Sequence, residues 1–112
     1  MTNAVPVVLS ARLCAVADAE LDNAIEVAIM GDDHARADLA LAARESIGAQ
    51  VPWVDGQWPA ADQELRIGLD PSQWALVVEE VRGSRAGHER IGDRESVALG
   101  DEILDVLGRQ LT

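Results

Sequence analysis

Two histidines, one cysteine and twenty acidic residues are the side chains in this 112-residue sequence with the most scope for chemistry. His34 follows Asp32 and Asp33 and precedes Asp38 by one helical turn, a spacing at which imidazole and carboxylate groups can share a metal ion. The same residues also describe the solvated first turn of a helix, where acids are favoured by the helix dipole, and that plainer account is preferred. His88 has Glu89 beside it but Arg85 and Arg90 close by, a poor setting for a cation. Cys14 would act as a nucleophile only with a base near it in space, and the sequence gives neither histidine that place. It reads instead as a small buried apolar side chain. Glu79 and Glu80, or Asp101 and Glu102, are adjacent and point to different sides of a helix, whereas acid–base catalysis needs two groups converging on one pocket. The sequence holds no phosphate-binding glycine loop, paired-cysteine metal box, nucleophile elbow or acidic calcium loop. The expectation is a protein that is not an enzyme and uses no cofactor.

Recognition is the chemistry that remains. Asp18, Asp22 and Glu26 recur every four residues, stacking three carboxylates on one helical stripe with Glu20 beside it. Like charges at this spacing repel, so neutralising them is expected to raise stability. Such a row, extended by Asp101, Glu102 and Asp105, could imitate the phosphates of a nucleic acid. A solubilising acidic face is the preferred account. Trp53 and Trp58 stand in the one stretch of mixed turn and aromatic character, residues 51–63. They are either lids on a small aliphatic core or, where an indole stays exposed, the anchor of a protein interface. Arg82, Arg85, Arg90 and Arg94 run against the overall charge and suit the C-terminal end of a helix. Gly83 and Gly87 between them read first as a loop, and otherwise as a close helix crossing, within the chain or between subunits.

Composition bounds these readings. Acids outnumber bases by 20 to 9, every base is arginine, and the formal net charge is −11, which excludes a broad basic face for nucleic acid. Apolar residues make up 48% of the chain without one Phe or Tyr, so the core must be aliphatic and suited to closely approaching helices. A single thiol favours a reducing cytoplasm. The apolar start, Ala4 to Leu9, lacks a basic leader, and no window reaches the roughly 18–20 apolar residues of a spanning helix. The expectation is a cytoplasmic protein without membrane contact. Absence of Lys beside abundant Ala, Val, Arg and Gly points to a high-GC bacterium, its phage or plasmid, or a salt-loving archaeon. In the archaeal case the acidity would carry no message about partners.

The elements that must position these residues follow from periodicity. Val5, Val7 and Leu9 alternate as a short strand, Ser10 caps a helix from Ala11 to about Met30, and Gly31 ends it. Asp32 or Asp33 caps a second, alanine-rich helix to Gly48. Asp55 and Gly56 make a tight turn, and Pro52 and Pro59 confine any strand there to an edge. Leu65, Ile67 and Leu69 alternate as a second strand. Asp70, Pro71 and Gln73 then open a third helix, with Leu69 and Trp74 as a hydrophobic staple; its end falls between Arg82 and Ile91. A last helix runs from Asp93 to Gly108. An offset of 60 residues lays Val5 on Leu65, Val7 on Ile67, Ser10 on Asp70 and Gln50 on Gln110, with a one-residue slip at Gly31–Asp32 and Gly92–Asp93. The fold expected is mainly α: two helical hairpins in a four-helix arrangement with a minor β element. It forms one domain over 1–112, with half-repeats 5–51 and 65–111 and a connector 52–64.

The expected function is a small acidic interaction module that offers Trp53, Trp58, Asp18, Asp22 and Glu26 to a protein partner. A homodimer is compatible with it, and direct nucleic-acid binding is not expected. The alternatives are a nucleic-acid mimic that inhibits a DNA-binding or DNA-cutting protein, and a small metal-binding protein built on His34 and Asp38.

Overall fold

The computed structural model describes residues 3–111. They form β1 (Val5–Ser10), α1 (Ala11–Met30), α2 (His34–Gln50), β2 (Glu64–Leu69), α3 (Pro71–Arg90) and α4 (Arg94–Gln110). The fold is mainly helical, with β1 and β2 as its one small antiparallel sheet. The alternating residues Val7, Leu9, Leu65, Ile67 and Leu69 turn one face of that sheet onto the helices and are buried. Val7 stands opposite Ile67 in the register. Because those two residues are 60 apart, a pseudo-twofold axis passes between them and relates α1 to α3 and α2 to α4.

The caps repeat with the same offset. Ser10 accepts from the Leu13 N–H at 3.2 Å, while Gln73 reaches back to accept from the Asp70 N–H at 2.9 Å. Asp33 and Asp93 each accept from an N–H three residues on, in Arg36 and Ser96, and each thereby satisfies a first-turn donor. Trp74 is buried and donates its indole N–H to the Val5 carbonyl at 2.8 Å, fastening α3 to β1.

α1 packs on α2 and α3 on α4, and the two hairpins meet chiefly along α1 and α3. Leu21, Ile47, Ile67, Val77, Ile103 and Leu107 fill one shared core, so each hairpin hides its apolar stripe against the other.

Several boundaries differ from expectation for physical reasons. α2 and α4 do not stop at Gly48 and Gly108; both continue to a glutamine two residues on, whose side chain then seizes the sheet. Gln50 donates to the Gly68 carbonyl and accepts from the Gly68 N–H, both at 2.8 Å. Gln110 does the same at Val8, at 2.9 and 2.8 Å. A glycine inside a helix costs only about 1 kcal/mol relative to alanine, less than these bonds and the packing offset. α3 likewise runs through Gly83 and Gly87 to Arg90, so the loop reading does not hold. No helix of the same chain crosses there either, since a Cβ added at Gly83 would meet nothing within 4 Å. The close approach lies instead at Gly100 of α4, where an added Cβ would sit 3.2 Å from the Arg85 Cβ. The one-residue slip also disappears: the left-handed position is Asp32 (φ 59°) in one turn and Gly92 (φ 76°) in the other, 60 residues apart. Gly31 is not left-handed, at φ −88°.

Candidate functional site

The connector between α2 and β2 is built on a tight turn. Val54 and Gln57 exchange two backbone hydrogen bonds of 2.9 Å across Asp55 (φ 50°) and Gly56 (φ 76°), the geometry of a type I′ turn. Two left-handed residues in succession are what Asp-Gly tolerates, so the sequence expectation of a tight turn holds. Trp53 and Trp58 flank the turn with ring centroids 4.7 Å apart and planes inclined at 58°. Trp58 is half-buried against the core and Pro59 is buried. Trp53 donates its indole N–H to the Gly48 carbonyl at 2.8 Å yet stays 42% exposed, and Val54 beside it is 58% exposed. Trp58 thus covers the core, while Trp53 is held in place and stays partly exposed.

Asp18, Asp22 and Glu26 do lie along α1, but the stripe is not bare. Arg44 reaches across from α2 and binds Asp18 through Nε at 3.2 Å and Asp22 through Nη1 at 3.0 Å. Repulsion at those two positions is therefore offset by a bridging guanidinium, which the spacing within one helix could not reveal. Glu26 is exposed. The acids expected to extend the stripe on α4 are also engaged: Asp101 with Arg85, Glu102 with Arg12 and Asp105 with Arg109. Arg85 holds Glu89 as well, so the basic run in α3 is partly consumed inside the molecule.

A second cluster escaped the sequence reading. Glu20 and Glu80, 60 residues apart, occupy equivalent places where α1 meets α3. Glu80 accepts from Arg36 at 2.7 Å, and the same guanidinium lies 3.4 Å from Glu79. The residue equivalent to Arg36 is Ser96, so Glu20 has no such cation and accepts instead from the Ser84 hydroxyl at 2.7 Å. Burial pushes the Glu20 carboxyl above its ordinary value and the charge of Glu80 adds to this, while the Ser84 hydrogen bond and His88 pull it back. His88 Nδ1 lies 3.6 Å from Asp93, whose carboxylate accepts from Ser96 Oγ at 2.7 Å and is held below its usual range chiefly by that bond. Glu20, Ser84, His88 and Ser96 border an opening of about 80 Å³. Ser84 gives its hydroxyl proton to Glu20 rather than to an imidazole, so serine, histidine and acid are not strung in the order that activates a nucleophile. The signal in the sequence was the matched pair Glu20 and Glu80 beside the unmatched pair Arg36 and Ser96.

Cys14 is buried, and burial followed by the charge of Asp18 pushes its thiol up to about 12, which removes it as a nucleophile near neutral pH. His34 pairs through Nε2 with Asp32 at 2.8 Å on the exposed turn, not with Asp38. Among the described residues no group of three or more His, Cys, Asp or Glu side chains is placed to hold a metal ion. No helix there is long and apolar enough to cross a membrane. Compared with protein-family models, curated proteins and solved structures, the chain matches none.

Proposed function

We propose that the chain is a protein-interaction module whose contact point is the tip of the connector, Trp53 and Val54. The observation that carries this is the restraint on Trp53: its N–H is satisfied by Gly48, its ring leans on Trp58 and the I′ turn sets its direction, yet much of the indole faces solvent. A large apolar ring whose conformational entropy is already spent binds at little further ordering cost, which is why tryptophan dominates interface hot spots. With a net charge of −11, the chain approaches a basic partner surface fastest. The acidic stripe acts here as a steering field, since Arg44 already occupies two of its three carboxylates. The same pairing makes a phosphate-row mimic the weaker reading.

A photo-crosslinking residue at Val54, with a second at Glu26 as comparison, tests this in the native host. The expected result is one discrete adduct from position 54, competed away by excess wild-type protein but not by Trp53→Ala. Adducts only from position 26, or competition undiminished by Trp53→Ala, would move the contact to the acidic stripe.

A further inference from the structure

The pseudo-twofold axis allows one half of the molecule to be compared with the other, and at the start of α1 and α3 they differ. In the first half the connector crosses the opening turn of α1: the Ala11 N–H donates to the Gln63 carbonyl at 2.8 Å and the Arg12 N–H to the Ala61 carbonyl at 3.0 Å. With Trp58 and Pro59 packed inward, Ala11 and Val51 are buried there. In the second half no described segment crosses α3. Beside the equivalent opening turn of α3 lies instead an open, mainly apolar cleft of about 720 Å³, lined by Val5, Trp74, Ala75, Val78 and Leu111, with Glu79 and Arg82 as its charged residues. Pro71 and Ala75 are exposed, whereas their equivalents Ala11 and Ala15 are buried and half-buried.

Two substitutions make the open state self-sufficient. Pro71 stands where Ala11 stands in the first half, so the N–H that Gln63 accepts there does not exist here. Trp74 replaces Cys14 and keeps the core sealed from within. The next donor is retained: the Ser72 N–H, equivalent to that of Arg12, meets no protein acceptor among the described residues. Arg82, on the cleft rim, is exposed and forms no ion pair among them.

We propose that this cleft binds an extended segment of a partner protein, laid over α3 as the connector lies over α1. The segment presents an apolar side chain to Trp74 and Val78, a backbone carbonyl to the Ser72 N–H and an acidic side chain to Arg82. The internal connector supplies the template for the backbone contact, since its Ala61 and Gln63 carbonyls accept first-turn N–H groups of α1; the acidic side chain answers Arg82, which stands where the first half has Asp22. The cleft is a second surface, separate from the Trp53 tip, and the two are tested by different variants.

The probe is a capped synthetic peptide of residues 56–64, titrated into the isotope-labelled full chain while backbone amide resonances are followed. The expected result is saturable shifts at Ser72, Ala75, Val78 and Leu111. Ala75→Arg, placed at an exposed alanine, should weaken binding about tenfold or more by filling the cleft, as should an alanine in place of the peptide tryptophan. Arg82→Ala, which leaves the cleft walls in place, should weaken binding and flatten its salt dependence. Trp53→Ala should leave the titration unchanged, which separates this test from that of the connector tip. Failure to saturate at millimolar peptide would overturn the proposal. So would shifts centred elsewhere, indifference to both Ala75→Arg and Arg82→Ala, or cleft shifts that grow with protein concentration alone and mark a second copy as occupant.

Discussion

Replacing Gln50 or Gln110 by alanine should destabilise the fold through the edges of the sheet rather than through its core. Each glutamine amide makes two hydrogen bonds with the outward-facing backbone of one strand residue, Gly68 or Val8. Alanine is the stronger helix former, so helix propensity opposes any loss and the sheet bonds must account for it. A net value of about 0.5–1.5 kcal/mol per hydrogen bond, taken low because both sites are exposed, gives about 1–2 kcal/mol per glutamine. In a domain of this size that lowers the melting temperature by roughly 4–8 °C. The two clamps share no bonding partner, so the double variant should show nearly the sum. Urea unfolding followed by circular dichroism supplies the energies. Sedimentation supplies a second readout, because an uncovered edge recruits another strand. Pro6 blunts the β1 edge, so Gln50→Ala, which bares β2, should self-associate more than Gln110→Ala. A Gln50→Glu variant sharpens the test. Its carboxylate would face the Gly68 carbonyl, and its folded pKa would rise above the unfolded value of about 4.3. Its stability should be nearest wild type below that value and fall as pH rises through the folded pKa. Single alanine variants within about 0.3 kcal/mol of wild type would show that water replaces the amides without cost and would refute the reasoning.

Arg44→Gln should destabilise by about 0.5–1 kcal/mol, and more at low salt, because it returns Asp18 and Asp22 to mutual repulsion; unchanged salt dependence would count against the bridge. Native Cys14 should resist thiol reagents up to pH 9 and react only at the rate of unfolding, as its thiol is pushed up to about 12. Glu20 carries a raised folded pKa, so its contribution to stability is complete below the unfolded value and is lost as pH rises through the folded one. Glu20→Gln should therefore be relatively more stable than wild type at pH 7 than at pH 4, read from paired urea titrations.

What the sequence disclosed and what it hid divide along the range of the interactions. Strands, caps and the Asp55–Gly56 turn depend on neighbours within four residues, and alternation, Ser10, Asp33, Asp93 and the Pro71–Gln73 cap carried that information openly. Helix ends at glycine were misread because Gly48 and Gly108 are overruled by bonds to strand residues far away in sequence. The connector tryptophans are legible by type, but their different exposure depends on Gly48 and on the core beneath Trp58. The acidic stripe was found by spacing, whereas the Arg44 bridge comes from another helix. Glu20 was seen only as a flanking charge, because its burial and its Ser84 partner arise where α1 and α3 cross.

The 60-residue correspondence turns the molecule into its own control. Wherever equivalent positions carry equivalent groups, as at Gln50 and Gln110 or at Asp33 and Asp93, the shared task is structural and is done twice with nearly the same geometry. The differences fall elsewhere: Ala11 against Pro71, Cys14 against Trp74, Arg36 against Ser96, and a buried Val51 against a half-exposed Leu111. The changes at Pro71 and Trp74 let the second half stand without a covering segment, and Ser96 leaves Glu20 without a guanidinium. Maintaining the common frame requires none of these differences, since the first half keeps it with the opposite choices. Both proposed contacts, the connector tip on one side of the axis and the uncovered cleft on the other, therefore fall where the halves differ rather than where the common frame is kept.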